Sequence, residues 1–232
     1  MTELVLVADS VRKSAKGQQI LTAASLSVPR GQVVGLLGRV GAGKSTLLKV
    51  CAGLTAADSG WVEFMGRRQT RPRLDRLSGE GLFFAPDQRG LALNLTLRQH
   101  FDAIASRYGA ADYSEIVELL KLDEFLDSYP WTFSGGEERR AILAISMARK
   151  PSCLLSDEPF RGVDPLSLEL VGQGIRRLAA DGCGVVVTGH EVRALRPFLD
   201  SVTWVTAGTT YPLGTPEEAW TNDRFKREYL GE

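Results

Sequence analysis

The chain has 232 residues, and its 28 lysines and arginines balance its 28 aspartates and glutamates, so the formal net charge is zero. That balance gives no electrostatic argument for an anionic membrane surface or for nucleic acid, and we expect no nucleic-acid partner. The first residues lack the basic region and apolar core of a signal peptide, and no apolar run approaches the roughly 20 residues that span a bilayer. We therefore predict one soluble domain, with room for a built-in subdomain.

Strand patterns dominate the first third of the chain. Apolar runs bounded by turn residues predict strands at 4–8, up to 26–28, at 33–37, at 61–64 and at 81–84. The arginine-rich stretch 65–80 is predicted to be a solvated loop. The three cysteines, Cys51, Cys153 and Cys183, lie in apolar neighbourhoods without a C-x-x-C pair, which indicates buried, reduced thiols rather than metal ligands.

A phosphate-binding loop follows the third predicted strand. It fits the pattern G-x-x-x-x-G-K-[ST] and opens a helix, so backbone N–H groups and the helix N-terminus can surround a phosphate. Lys44 can span the β- and γ-phosphates, and the Ser45 hydroxyl can bind Mg²⁺. The alternative is a glycine-rich turn that matches by chance, which the flanking strand and helix argue against. The loop consists of Gly38, Arg39, Val40, Gly41, Ala42, Gly43, Lys44, Ser45 and Thr46.

From about residue 89 to 150 the apolar spacing becomes helical, which predicts a helical insertion. The first part of the insertion, 91–101, has more apolar residues than a solvated loop needs. It is predicted either to line a groove for a helix of a partner or to pack into the insertion's own core. At the end of the insertion, Ser134-Gly135-Gly136-Glu137 precedes a clear helix. Ser134 fits an N-cap, and this second helix start also suits a phosphate; a plain cap is the alternative.

Apolar runs return at 153–155 and 184–187 and are typical of parallel strands buried on both faces. The first run ends in Asp157-Glu158. Asp157 can hold Mg²⁺ directly or through water beside Ser45, and Glu158 is the better candidate for accepting a proton from the attacking water. Exposed acids at a strand end are the alternative.

These motifs resemble those of the ATP-binding cassette (ABC) family, in that family's order and over essentially the whole chain. The resemblance implies an α/β fold: a P-loop NTPase core with a mostly parallel sheet, an N-terminal antiparallel β subdomain and a helical subdomain insertion. It implies a single domain, 1–232, with its core at 1–88 and 151–232 and the helical subdomain at about 89–150. The set comprises the loop at 38–46, Gln88, the signature at 133–137, Asp157-Glu158, Val163-Asp164 and His190.

The resemblance also implies how these residues act. Two ATP molecules with Mg²⁺ would lie between the subunits of a head-to-tail dimer, either a homodimer or a dimer with a second ABC ATPase. Ser134, Gly135, Gly136 and Glu137 of one subunit would complete the site of the other. Gln88 would contact Mg²⁺ or the attacking water, His190 the γ-phosphate, and Asp164 the other subunit. The alternatives are a surface amide, a structural histidine and a helix cap before Pro165.

As a family member, the chain would be an ATPase on the cytoplasmic face of the membrane that drives transport by integral membrane subunits. A soluble mechanical ATPase would carry two cassettes or a coiled-coil insertion. A GTPase would carry an N-K-x-D motif, and a kinase would leave Ser134 to Gly136 and His190 unexplained. The presence of Glu158 and His190 argues against a degenerate cassette that binds ATP without hydrolysing it.

Finer features narrow the group and mark departures from it. The stretch 158–165 and the tail 225–232 are similar to the ATPases of lipopolysaccharide export and of branched-chain amino-acid import. Phe133 stands where the family usually has Leu, and Glu137 where it often has Gln. Residues 1–60 contain no Phe, Tyr or Trp, so the aromatic that family members stack on adenine, expected near Ala15 or Lys16, is absent.

Overall fold

A computed structural model describes residues 3–88, 90–109, 112–190 and 192–231. Residue 89, where the helical insertion was predicted to begin, lies outside these ranges. The strands are β1 (Leu4–Ala15), β2 (Gln18–Pro29), β3 (Val33–Leu37), β4 (Ser59–Phe64), β5 (Arg67–Gln69), β6 (Leu82–Ala85), β7 (Cys153–Ser156), β8 (Gly184–Gly189), β9 (Ser201–Thr206) and β10 (Thr209–Pro212). The helices are α1 (Lys44–Cys51), α2 (Leu74–Gly79), α3 (Leu97–Tyr108), α4 (Ser114–Leu119), α5 (Gly135–Arg149), α6 (Pro165–Ala180), α7 (Val192–Leu195), α8 (Pro216–Thr221) and α9 (Asp223–Phe225), with a π-helical turn at Lys226–Leu230.

These strands form one sheet in the order β5-β4-β1-β2-β10-β9-β3-β8-β7-β6. β9, β3, β8, β7 and β6 run parallel to one another, whereas β1, β2, β4 and β5 pair antiparallel. The architecture is therefore a parallel α/β core with an N-terminal antiparallel part, as the family resemblance implied.

The central strands are buried on both faces, which explains their uninterrupted apolar runs. Every residue of β3 and β8 is buried. In β8, Val185 and Val187 join the apolar cluster that includes α5 and α6, and Val186 joins the cluster that includes α1. Because side chains alternate along a strand, one apolar run supplies both layers of the core.

The sheet register brings the carboxyl ends of the parallel strands together. Leu37 of β3 pairs with Gly189 of β8, Val187 of β8 pairs with Ser156 of β7, and Ser156 pairs with Ala85 of β6. The loops that follow β3, β6, β7 and β8 therefore emerge at one edge of the sheet, which is where open α/β sheets bind ligands.

α3, α4 and α5 lie within the predicted insertion. α3 and α4 pack against α5, and α5 also packs against α6. The buried Arg140 of α5 donates to the carbonyls of Leu120 and Lys121, each at 2.8 Å, and thereby satisfies the end of α4. Phe101 of α3 is buried and stacks on Tyr113, with ring centroids 4.1 Å apart.

One sequence-based expectation is wrong. The stretch 65–80 is not an irregular loop, because it contains β5 and α2, and Leu77 of α2 is fully buried. The cysteines behave as expected: all three are free and buried, and burial raises the pKa of Cys51 to about 12. Within the described ranges, no helix has both the length and the apolar character needed to cross a membrane.

Candidate active site

The loop after β3 is built to surround an anion with backbone donors. Gly41 and Gly43 have φ angles of 83° and 106°, a region that disfavours residues with a side chain. A Cβ on Gly43 would lie 2.7 Å from Leu21 Cδ2, and one on Gly38 would clash with the Val205 carbonyl. Gly43 caps α1 without a side-chain hydrogen bond, and the first turn of α1 carries no acid. The N–H groups at this positively polarised end are left for a ligand.

The side chain of Lys44 is held across this loop. It is 5% exposed, and its Nζ donates to the carbonyls of Gly38 at 2.7 Å and Arg39 at 3.2 Å. Burial lowers the pKa of Lys44, while the nearby carboxylates of Glu158 and Asp157 act in the opposite direction. The Nζ also lies 3.7 Å from Glu158 Oε1, so a single cation joins the phosphate loop to the acid after β7.

Three oxygen-bearing side chains meet beside Lys44. Ser45 Oγ donates to Asp157 Oδ1 at 3.0 Å, and Thr188 Oγ1 donates to the same oxygen at 2.7 Å. Hydroxyl and carboxylate oxygens are the ligands that Mg²⁺ prefers, and Mg²⁺ is usually held by one or two carboxylates together with substrate phosphates. Ser45 and Asp157 therefore fit the magnesium role predicted for them.

Glu158 adopts an unusual backbone conformation that aims its carboxylate into the site. Its φ is 53°, in the left-handed region, which costs a non-glycine residue about 1–3 kcal/mol. Its backbone N–H donates to Thr188 Oγ1 at 2.8 Å, and its Oε2 lies 2.9 Å from His190 Nδ1. The carboxylate thus lies between the Lys44 ammonium and the His190 imidazole, where it can accept a proton.

Thr188 is a site residue that the motifs missed. It is fully buried, orients the Asp157 carboxylate and supports the Glu158 backbone. The signal was present in the sequence: a single hydroxyl follows an unbroken valine run in a strand buried on both faces. A buried polar group at such a place needs a partner, and the site supplies it.

The loop after β6 is anchored through Asp87 rather than through the neighbouring Gln88. Asp87 Oδ1 accepts from Arg139 of α5 and its Oδ2 accepts from Arg161, both at 2.7 Å. Arg139 also donates to the Pro86 carbonyl at 3.3 Å. Gln88 is exposed at the surface of this loop. The loop that carries Gln88 is therefore tied to the signature helix and to the segment after Glu158.

The second helix start has the N-cap that the sequence predicts. Ser134 caps α5: its Oγ accepts from the Glu137 N–H at 3.3 Å, and Glu137 Oε2 accepts from the Ser134 N–H at 2.7 Å. This capping box occupies the Glu137 carboxylate. Ser134 and Gly135 remain exposed, and no hydrogen bond among the described residues joins them to the phosphate loop.

Asp164 lies next to this signature. A Cβ on Gly136 would lie 2.6 Å from Asp164 Oδ2, so only glycine fits there. Asp164 caps α6 by accepting from the Ser167 N–H at 2.9 Å, and the hydrogen bonds of Ser167 lower the pKa of Asp164. Asp164 thus serves as the helix cap before Pro165 and also faces the exposed signature.

The hairpin expected to face a base lacks an aromatic ring. Ala15 and Lys16 are exposed at the tip between β1 and β2, and Lys16 has a φ of 50°. A cleft of 490 Å³ lies beside the phosphate loop, with Gln19, Arg39 and Gly208 in its walls. Trp204 also borders the cleft but is 3% exposed, so it offers no free ring face.

Comparison with known proteins gives one family throughout. The ABC transporter family profile matches residues 21–161. The lipopolysaccharide export system ATP-binding protein LptB of Haemophilus influenzae is 32% identical, over 98% of this chain and 98% of that protein. LptB of Escherichia coli strain K12 is 30% identical, over 98% and 97%. A probable ABC transporter ATP-binding protein of Azorhizobium caulinodans is 32% identical, over 98% and 83%.

Solved structures share the fold. A nucleotide-free ATP-binding cassette from an ABC transporter matches with a TM-score of 0.85 at 21% identity, over 99% of this chain and all of that one. The dimeric post-hydrolysis state of an ATP-binding cassette bound to ADP and phosphate matches with a TM-score of 0.77 at 25% identity, over 90% of this chain and 98% of that one. Both comparisons confirm the expected α/β cassette architecture.

Proposed function

The chain belongs to the ABC transporter family, and we propose that it is the ATPase subunit that powers transport by a separate integral membrane subunit. One observation carries the proposal. At the carboxyl edge of the sheet, hydrogen bonds join Ser45 to Asp157 and His190 to Glu158, and Thr188 bridges the two acids. An ion pair of 3.7 Å joins Lys44 to Glu158. A phosphate cradle beside a supported proton acceptor is what hydrolysis of a nucleoside triphosphate requires.

The residues divide the work. The phosphate loop amides and the Lys44 ammonium bind the β- and γ-phosphates, which compete for the ammonium with the carbonyls of Gly38 and Arg39. Ser45 and Asp157 would hold Mg²⁺, which would supply positive charge to neutralise the phosphates. Glu158 accepts a proton from the attacking water, and His190, already bonded to Glu158, holds that carboxylate in place and reaches the γ-phosphate. Gln88 contacts the metal or the attacking water from the loop that Asp87 anchors.

We place the second half of each site in a partner cassette. The exposed Ser134 and Gly135 have no hydrogen bond to their own phosphate loop among the described residues, yet they open a helix that suits a phosphate. A head-to-tail dimer, with a second copy or another ABC ATPase, gives this helix start a phosphate to bind. Asp164, packed against Gly136, lies at the same interface.

The helical segment at about 89–150 is the part we assign to contact with the membrane subunit. Of its first apolar residues, Leu91, Leu97 and Phe101 are buried in the core of the chain, so that core accounts for most of the excess. Leu93 remains 55% exposed beside them. We propose that the chain lies at the cytoplasmic face of the membrane and that the surface around Leu93 receives a short helix of the membrane subunit. Substrate contacts lie in that subunit.

Crosslinking from Asn94 and Arg98 tests this partner. Both are exposed near Leu93, and the native cysteines are buried, so an introduced cysteine is the reactive thiol of the described chain. We expect Asn94→Cys and Arg98→Cys to crosslink to a copurified membrane subunit in a complex that releases phosphate from Mg-ATP. Thr70→Cys, exposed after β5 at the opposite end of the sheet from β6, is the control and is expected not to crosslink. An active complex without either crosslink would place the partner elsewhere.

Weak base selectivity is expected because the hairpin tip offers no aromatic face. Stacking on an aromatic ring contributes roughly 1–3 kcal/mol in base-binding sites, whereas a lysine stem discriminates little between bases. Phosphate contacts do not distinguish bases, so GTP should be hydrolysed within about tenfold of ATP, a gap near 1.4 kcal/mol. Titrations of ATP, GTP and triphosphate measure this directly.

An added ring provides the matched test of base binding. Ala15→Tyr places the ring on the extended end of β1. Lys16 is less suitable for this substitution, because its left-handed backbone disfavours a bulky side chain. We expect Ala15→Tyr to tighten both purine nucleotides and to leave triphosphate binding unchanged. A strong preference of the native chain for ATP over GTP would show that another group reads adenine.

A further inference from the structure

The C-terminal segment is fixed against the sheet by an aromatic cluster. Phe225 is fully buried, and its ring lies 5.7 Å from Trp204 of β9, 5.8 Å from Trp220 of α8 and 5.1 Å from Tyr229, between centroids. The π-helical turn after α9 therefore begins next to a residue that is packed on three aromatic rings. This turn carries Tyr229 back toward the edge of the sheet where the active-site loops begin.

The Tyr229 hydroxyl contacts the chain just before His190. It donates to the Gly189 carbonyl at 3.2 Å, 40 residues away in sequence. Gly189 is the last residue of β8 and pairs with Leu37, so its carbonyl lies beside the start of the phosphate loop. Burial raises the pKa of Tyr229 to about 12. A hydrogen bond with the backbone of Gly38 acts to lower this pKa, and the negative charge of Glu158 acts to raise it. The phenol is therefore neutral at pH 7 and keeps its proton for this bond.

The Gly189 carbonyl belongs to the peptide that joins β8 to His190. Rotation of that peptide would carry the imidazole away from Glu158, whose Oε2 lies 2.9 Å from His190 Nδ1. His190 is itself 39% exposed in its side chain, so packing holds it only in part. A Cβ on Gly189 would clash with Leu195, so this end of β8 is closely packed, and the Tyr229 hydroxyl adds a polar contact at the Gly189 carbonyl.

We propose that Tyr229 is a positioning residue for hydrolysis, whose hydroxyl fixes the Gly189 carbonyl and thereby the placement of His190 against Glu158. The inference rests on the hydrolytic function proposed above. On this proposal the C-terminal turn supports the active-site loop after β8, from which it is 40 residues away in sequence. Tyr229 acts through His190 and does not itself touch the nucleotide.

Tyr229→Phe removes the hydroxyl and keeps the ring in its cluster. We expect kcat for ATP to fall about 3- to 10-fold, the range of one net hydrogen bond, with an unchanged Kd for ATP and a Tm lowered by no more than about 2–4 °C. Tyr211→Phe is the matched control, because Tyr211 packs on Trp204 in the same cluster with ring centroids 5.6 Å apart. It is expected to retain the wild-type kcat.

A double-mutant cycle with His190→Ala separates positioning from general structural support. If Tyr229 acts through His190, then adding Tyr229→Phe to His190→Ala should change single-turnover hydrolysis by less than twofold. A wild-type kcat in Tyr229→Phe, or a full additional loss in the His190→Ala background, would overturn the inference. Absence of ATP hydrolysis by the wild-type chain would instead defeat the proposed function, so the two failures are distinguishable.

Discussion

Replacing Glu158 with Gln is expected to slow phosphate release by about 100-fold or more while ATP binding is retained. The amide keeps the size of the side chain but cannot accept a proton from water. The contacts that bind phosphate do not depend on it, because Lys44 is held by the Gly38 and Arg39 carbonyls and Asp157 by Ser45 and Thr188. The ATP-bound dimer should then accumulate, which sizing with light scattering detects.

Glu124→Gln is the control for this experiment. Glu124 is exposed in the helical segment, so its substitution makes the same chemical change away from the site, and turnover should be unaffected. Phosphate release at the wild-type rate in Glu158→Gln would remove Glu158 from the catalytic role. It would leave its left-handed backbone, with a φ of 53°, without a functional reason.

The phosphate loop and Asp157 could be located from the sequence because their signals are local. Glycines set the backbone of the loop, and the helix that begins at Lys44 follows directly, so the nine-residue stretch 38–46 contains the whole phosphate cradle. Asp157 ends an apolar run, and a parallel strand places its last side chains at the ligand edge. In these cases the chemistry and the geometry are encoded in neighbouring residues.

Thr188, Asp87 and Tyr229 were missed because their roles depend on the sheet register and on distant contacts. Thr188 meets Asp157 only because β7 and β8 are adjacent, and Tyr229 meets Gly189 across 40 residues. The pairing of Asp87 with Arg139 requires the loop after β6 to lie against α5. A local pattern can mark a buried hydroxyl, as the valine run does at Thr188, but it does not indicate which distant residue will be its partner.

The stretch 65–80 shows the opposite error, in which composition hid a local pattern. Its arginines suggested a solvated loop, yet Leu74 and Leu77 are spaced three apart, as on one face of a helix. Leu77 belongs to the core cluster around α1, and the half-buried Leu74 packs against that cluster. Arg67, Arg73 and Arg76 instead form ion pairs with acids of the same stretch, such as Arg76 with Glu80 at 3.1 Å. Short helices with a two-residue apolar face give too weak a period to outweigh a polar composition.

Replacing Ser134 with Arg is expected to abolish ATP-induced dimerisation and hydrolysis while each chain still binds ATP. Ser134 is exposed at the start of α5, and no hydrogen bond among the described residues joins it to the phosphate loop of its own chain, so we expect nucleotide binding by each chain to persist. A long cation there would obstruct the approach of the second cassette's phosphates to the N–H groups of Gly135 and Gly136. Sizing with light scattering, with and without ATP, measures the dimer, and nucleotide titration measures the monomer.

The loss must be separated from the capping energy that Ser134 also contributes, about 1 kcal/mol. Thr215→Arg provides that control, because Thr215 is exposed and caps α8 with the same reciprocal box, formed with Glu218. It removes an equivalent cap, and it should lower Tm by a similar amount while dimerisation and hydrolysis persist. If Ser134→Arg still dimerises with ATP, the second helix start is only a cap, and the site lies within one chain. If both variants lose the dimer equally, helix stability rather than the signature controls assembly. The signature acts between subunits only if the dimer is lost in Ser134→Arg alone.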